Sequence, residues 1–385
     1  MASEYRLEEP VGQFLNDGGS PGRLPQLLGE QGFTVAPSVV LQDLTNDGVP
    51  EVLVRAYESL VFACENGRFI NRLPPSLQVG ESVPAPWSDR IADMNANGMP
   101  DLVLAHEFWG AHNYTLSVEI YEWDGATFRT LIADERTDAP FARNGYGERG
   151  VAAMYNGNLA LVDVDANGTI ELLLEGGLEG GLDAQLNGGP QRSERHIWMW
   201  NGLEFILQDV SFSPATYRYQ AIQDGDDASL VGDFDGAMSS YKAAIEDADL
   251  EGWNPAWLGL DSLVGEGTPA PTFPPADPDE RPRLEAYARF RMLLIELARG
   301  RLDEAENQLR ILKAGFGQDS SAYPFVELSE IVWDAHLDTQ GMGRACSLAI
   351  DYASAHEEQV LAPLGSTYYG FLNRDYDPQD ICPFH

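Results

Sequence analysis

The apolar positions change period part-way along the chain. Up to about residue 213 they come in short runs separated by turn residues, and beyond it they recur at helical spacing. Val39-Val40-Leu41, Val52-Leu53-Val54, Leu102-Val103-Leu104, Leu159 to Val162 and Leu172-Leu173-Leu174 are runs of branched residues of strand length. Asn66-Gly67, Asp124-Gly125 and Asn201-Gly202 each follow an apolar or aromatic stretch and precede Phe69, Phe128 or Phe205. These dipeptides favour type I′ hairpin turns, whose two central residues both need positive φ. Beyond Pro214, Ala237, Tyr241, Ala244 and Ile245 share one face of a helix. Ala305, Leu309 and Leu312 do the same, and Ala345, Ala349 and Tyr352 form a weaker third case. In the first two, Gly232 and Gly300 lie five residues before the first alanine, where a small residue is expected to let helices approach closely.

One motif recurs three times between the apolar runs. It reads DLTNDGVPE from Asp43 to Glu51, DMNANGMPD from Asp93 to Asp101 and DVDANGTIE from Asp163 to Glu171. Oxygen-bearing side chains fall at positions 1, 3, 5 and 9: Asp43, Thr45, Asp47 and Glu51; Asp93, Asn95, Asn97 and Asp101; Asp163, Asp165, Asn167 and Glu171. Glycine holds position 6, where a sharp turn is needed. The carbonyls of Val49, Met99 and Thr169 at position 7 are further candidate ligands. Such an oxygen-only set suits a hard cation, calcium above all, at up to three sites. No His or Cys is present for softer metals. An EF-hand also needs a bidentate Glu at position 12 and flanking helices. Position 12 here is Val54, Leu104 or Leu174, in predicted strands. An ion-free turn rich in Asp and Asn is the bland alternative for any single loop. Three matching loops argue against it, because clustered carboxylates without a cation repel one another.

With their flanking strands, the three loops resemble FG-GAP or VCBS-type repeats, the blade unit of integrin-α-like propellers. The resemblance implies calcium-stiffened blades and a role in adhesion or ligand recognition. It spans roughly residues 33 to 210, with three such units where those propellers usually carry about seven. The helical half resembles tetratricopeptide (TPR) repeats, stacked helix pairs that offer a groove to peptides. The expected fold is therefore α+β and multidomain. Residues 1–32 form a helical cap, built on Val11 to Leu28. Residues 33–213 form an antiparallel, propeller-like repeat domain of about three blades. Residues 214–385 form helical hairpins with a Pro-rich insert at 268–282, and an aromatic tail (Tyr368, Tyr369, Phe371, Tyr376) that docks on the fold. Asp134 to Gly150 and the glycine-rich Glu175 to Pro190 are expected to be loops. The latter lacks the Lys-Ser/Thr of a phosphate cradle.

Charge narrows the partners. Asp and Glu total 61 against 24 Lys and Arg, a net charge of -37, which repels nucleic acid and anionic membranes. Acidity also serves solubility. No apolar stretch is long enough for a transmembrane segment. The start, Met1-Ala2-Ser3-Glu4, carries no signal peptide. It fits a secreted or surface-anchored chain that has lost its signal, and equally a cytoplasmic one. Cys346 and Cys382 are candidates to pair, leaving Cys64; three buried thiols are the alternative. The six histidines, His106, His112, His196, His336, His356 and His385, show no zinc spacing, and no nucleophile elbow is present. The aromatic segment from His106 to Tyr114 suggests a sugar pocket, but for Trp109 packing in the core is the stronger expectation.

These features point to a calcium-stabilised extracytoplasmic binding or scaffold protein for protein or carbohydrate ligands. A hydrolase acting on glycans or polymers through a propeller-type cleft and a structural subunit of a cell-surface assembly are the alternatives. The second loop has two carboxylates where the others have three, so it should bind calcium most weakly. Calorimetry on variants that keep a single loop checks this ranking, and the tightest binding at Asp93–Asp101 would refute it.

Overall fold

The computed structural model describes residues 7–30, 38–55, 59–74, 83–84, 90–109, 114–133, 150–177, 188–260, 274–339, 341–370 and 373–384. Residues 134–149 of the expected loop from Asp134 to Gly150 and most of that at Glu175 to Pro190 lie outside these residues, as do residues 268–273 of the Pro-rich insert, Phe371, His112 and His385. The chain is α+β and divides into two compact units. One is Met1–Glu179 with Ser193–Phe212, and the other is Gly180–Arg192 with Ser213–His385.

The first unit holds three antiparallel sheets. In the first sheet, β1 (Ser38–Gln42), β2 (Glu51–Arg55), β3 (Ser59–Glu65) and β4 (Arg68–Asn71) pair in sequence order. The third sheet, β11 (Asn158–Val162), β12 (Glu171–Gly176), β13 (Glu194–Trp200) and β14 (Phe205–Phe212), has the same order. The second comprises β5 (Val83–Pro84), β6 (Arg90–Ala92), β7 (Asp101–Trp109), β8 (Tyr114–Trp123), β9 (Phe128–Thr130) and β10 (Ala152–Tyr155). It has six strands but is only four wide: β5 and β6 share one edge of β7, and β9 and β10 share the far edge of β8.

Strand alternation stacks these sheets, because successive residues point to opposite faces. Val52 and Val54 face helices α1 (Glu8–Asn16) and α2 (Leu24–Glu30), packing with Val11, Leu15, Leu24 and Leu28. Leu53 and Val61 face the other way, onto Leu102, Leu104 and Tyr121 of the second sheet. Val103, Ala105, Val118 and Ile120 pack on Leu172, Leu174 and Trp198 of the third. Neighbouring sheets are also tied at their rims. The N–H of Phe128 donates to Arg72 O at 3.2 Å, and that of Phe205 to Leu131 O at 2.7 Å. Among the described residues no sheet closes on itself.

The hairpin turns differ from one another. Asn66 and Gly67 both have positive φ (51° and 77°), the type I′ requirement. At the other two turns only Gly125 and Gly202 do. There Asp124 Oδ1 accepts the N–H groups of Ala126 and Thr127, and Asn201 Oδ1 those of Leu203 and Glu204. These are longer turns held by the side chain, so the expected I′ geometry is corrected at both.

The second unit consists of helical hairpins: α3 (Arg218–Leu230) with α4 (Phe234–Glu246), α5 (Glu280–Ala298) with α6 (Leu302–Gly315), and α7 (Tyr323–Thr339) with α8 (Met342–Ala355). Gly232 and Gly300 do not mediate close packing. A Cβ at either would meet nothing within 4 Å, and both have positive φ (78° and 71°). They end the preceding helix in the left-handed conformation that glycine adopts without penalty. The close approach is at Gly225, where a Cβ would come within 2.5 Å of the Tyr241 ring.

A buried carboxylate joins these helices. Asp226 on α3 accepts the hydroxyls of Tyr241 (2.6 Å), Tyr287 (3.1 Å) and Tyr376 (2.7 Å) and sits 3.2 Å from Arg291 Nε. The Arg291 side chain also donates to Ile381 O at 3.2 Å, fixing the tail, which the Cys346–Cys382 disulfide ties to α8. Cys64 is free and exposed. Removing one partner of a buried ion pair costs about 3–5 kcal/mol. Asp226→Ala should therefore lower the urea midpoint of the helical unit, and a midpoint within error of the parent would show that this cluster does not hold the unit together.

Candidate metal centres

Each repeated motif forms the bend between two antiparallel strands: Asp43–Glu51 between β1 and β2, Asp93–Asp101 between β6 and β7, and Asp163–Glu171 between β11 and β12. The internal geometry is the same in all three. The position 1 carboxylate accepts the glycine N–H at 2.9 Å in the first two loops (Asp43, Asp93) and 3.0 Å in the third (Asp163). The side-chain oxygen at position 5 (Asp47, Asn97, Asn167) accepts the N–H of position 7 at 2.7 to 2.8 Å. Position 4 is left-handed without being glycine: Asn46, Ala96 and Ala166 have φ of 59°, 58° and 59°. Such a conformation is unfavourable for alanine and persists where its surroundings over-determine it.

The acid at position 9 opens the central strand of its sheet and is buried: Glu51 at 2%, Asp101 at 0% and Glu171 at 0% exposure. It accepts the N–H of position 2 from Leu44 (2.7 Å), Met94 (2.8 Å) or Val164 (2.7 Å). In the first and third loops the other carboxylate oxygen takes a hydroxyl, Thr45 at 3.3 Å and Thr169 at 2.9 Å. In the second, Asp101 Oδ1 is buried without a hydrogen-bond partner. Burial pushes the Asp101 carboxyl up to about 7, against the pull of the Met94 N–H and with the charges of Glu122 and Asp93 adding to the rise. Burial likewise raises Glu51. A buried anion with an orphaned oxygen fits a cation ligand, since a cation would offset the lost hydration.

The loops differ in how far their acids converge. Among the described residues, Asp163, Asp165 and Glu171 bring one ligand atom each within 4.8 Å of one another. Asp43, Asp47 and Glu51 do not gather in this way. The second loop gains a carboxylate that the motif does not contain. Glu122, on β8, accepts the side-chain amides of Asn95 (2.9 Å) and Asn97 (2.5 Å) and pairs with Arg129 at 3.1 Å. Burial opposes its ionisation, but those three donors prevail and hold its carboxyl below the usual range. The loops also touch: Ile170 N–H donates to Met94 O at 2.7 Å, and Asn46 Nδ2 lies 3.9 Å from Met99 Sδ. A third set of oxygens, the carbonyls of Val49, Met99 and Thr169, completes the candidate ligands.

Compared with protein-family models, characterised proteins and solved structures, the chain matches none. Its chemistry therefore rests on its own residues.

Two histidines are buried between strands. His106 is pushed down to about 4 by burial first and by the Arg55 charge second. Its approach to Glu119, 3.8 Å, is thus made by a neutral ring. His196 Nε2 lies 3.0 Å from Glu194. Trp109, expected in the core, is 64% exposed instead. The buried run of β7 ends at His106, and the last residues of the strand continue beyond it. No helix among the described residues is long and apolar enough to cross a membrane.

Asp101→Asn separates the two consequences of burial. In chelator it should be neutral or stabilising, because the orphaned charge is gone. With millimolar calcium it should forfeit the second loop's share of any ion-dependent rise in melting temperature. Paired thermal melts read both, and a variant destabilised in chelator and unchanged in its calcium response would contradict the assignment.

Proposed function

We propose that this protein is a calcium-stabilised binding module that works outside the cytoplasm, with the three stacked sheets serving as propeller-like blades of the FG-GAP/VCBS kind and the helical unit as a TPR-like docking scaffold. One observation carries the reading: Asp163, Asp165 and Glu171 converge within 4.8 Å in a bend whose backbone pattern recurs twice more. Calcium accepts six to eight oxygens at flexible geometry, which an exposed loop rimmed by carboxylates, amides and carbonyls can supply. Sites of modest affinity fill only where calcium is abundant, and extracellular modules bind in that range. The Cys346–Cys382 disulfide supports the same compartment, because such bonds persist under oxidising conditions. The net charge of -37 favours cations and basic surfaces over nucleic acid.

The function assigned to the ion is mechanical. Each loop fixes the angle between an edge strand and the central strand of its sheet, so occupancy stiffens the stack from which a ligand surface is presented. Ion binding to the native state alone stabilises it by about 2.7 kcal/mol per site when the ion is at 100 times Kd. Thermal melts with calcium and with chelator should therefore give a clearly higher midpoint for the sheet unit with calcium. Coincident melts would sink the proposal.

A further inference from the structure

At the opposite end of β7 from Asp101, roughly 25 Å away at strand spacing, Trp109 and Tyr114 form a cross-strand pair. Their ring centroids are 4.9 Å apart and the planes are tilted by 34°. Glu107 lies two residues before Trp109 and so on the same face of the sheet. The polar handles of both rings are used internally. Trp109 Nε1 donates to Glu107 Oε2 at 3.1 Å, and the Tyr114 hydroxyl donates to Gly157 O at 3.1 Å. The backbone of Tyr114 is clamped as well: its N–H donates to Asn156 Oδ1 at 3.2 Å, and Asn156 N–H donates to its carbonyl at 2.7 Å. What this leaves exposed is ring surface, 64% of Trp109, bordered by a carboxylate that makes no ion pair with any described residue. Burial first and the Glu107 charge second hold the Tyr114 hydroxyl above the ordinary tyrosine range.

We propose that the Trp109–Tyr114 pair and Glu107 form a preorganised platform for the guanidinium of an arginine on a basic polypeptide. Three features select this occupant. The tilted ring pair leaves Trp109 64% exposed as an open surface and forms no enclosing cage, where a compact ammonium would need converging walls. A planar guanidinium stacks on one aromatic face and forks toward a carboxylate, and it is weakly hydrated. The chain carries a net charge of -37, which steers basic partners toward it and leaves neutral ligands unsteered. Fixing both rings before binding avoids the ordering cost that a mobile exposed tryptophan would bring. The inference deepens the proposed binding role by naming its partner chemistry, and it does not depend on calcium, because the platform stands on the β7–β8 hairpin and Asn156.

The test is calorimetry at physiological salt with a nine-residue peptide bearing three arginines, its three-lysine counterpart and a neutral hexasaccharide. Each is titrated into the full chain, in calcium and in chelator. The arginine peptide should bind more tightly than the lysine peptide. Trp109→Ala, which leaves the net charge unchanged, should weaken it by roughly two- to fivefold, the scale of an exposed cation–π contact. Glu107→Gln should weaken it similarly, while Glu357→Gln, the same charge change in the helical unit, should not. Circular dichroism confirms that the variants fold, as expected for an exposed tryptophan. Absence of arginine-peptide binding overturns the proposal. So does binding unaffected by Trp109→Ala, which would be bulk electrostatics, and so does a saccharide that binds through Trp109 while the arginine peptide does not. A chain whose melting ignores calcium but whose arginine binding is lost in Trp109→Ala would refute the metal reading and leave the platform standing.

Discussion

The sheet unit depends on a carboxylate placed where carboxylates are costly. In each repeat the first residue of the central strand is an acid with almost no solvent contact, and its oxygen accepts the N–H of the residue seven positions earlier. That single bond closes the bend and sets where the strand begins, and in the third loop it accompanies the convergence of Asp163, Asp165 and Glu171. The constraint spreads because the loops touch: Ile170 leans on Met94 and Asn46 on Met99, so the bends support one another along the stack. At Asp101, where no hydroxyl takes up the second oxygen, the tension between burial and charge is greatest and the carboxyl is pushed furthest from its ordinary range.

The helical unit uses buried charge differently. Asp226 is surrounded by donors from three other parts of the chain: Tyr241 on α4, Tyr287 and Arg291 on α5, and Tyr376 in the tail. Nothing there waits for an ion. A fully satisfied polar cluster specifies how the helices and the tail meet, at the expense of the desolvation that every member undergoes. Asp226 and Asp101 thus show opposite solutions to the burial of an acid, one closed by protein donors and the other left with an open oxygen.

Much of the sheet unit was legible in the sequence because its signals are local. The loop positions 1, 3, 5, 6 and 9, the apolar runs on either side and the short strands all lie within a dozen residues of one another. Glu122 was not legible. It reaches Asn95, 27 positions earlier in the chain, only because β8 pairs with β7, and nothing in its local sequence marks it. The same holds for Asp226, whose partners are up to 150 residues away. The positions of Gly232 and Gly300 are visible in the sequence but their role is not, since spacing cannot distinguish a glycine that ends a helix from one that admits a neighbour. Residue type favours the core for Trp109, whereas its exposure follows from where β7 outruns its buried stretch.

The strap between β12 and β13 has a further consequence. Residues 188–192 belong to the helical unit: Pro190 O accepts the Tyr219 hydroxyl, Arg192 grips Asp224 through two bonds, and Gly189 lies so close to Tyr369 that a Cβ would stand 1.6 Å from its carbonyl oxygen. The backbone therefore passes from one unit to the other three times, after Glu179, after Arg192 and after Phe212. No single scission divides the molecule into its two halves. A fragment begun at Ser213 would lack a piece of its own interior.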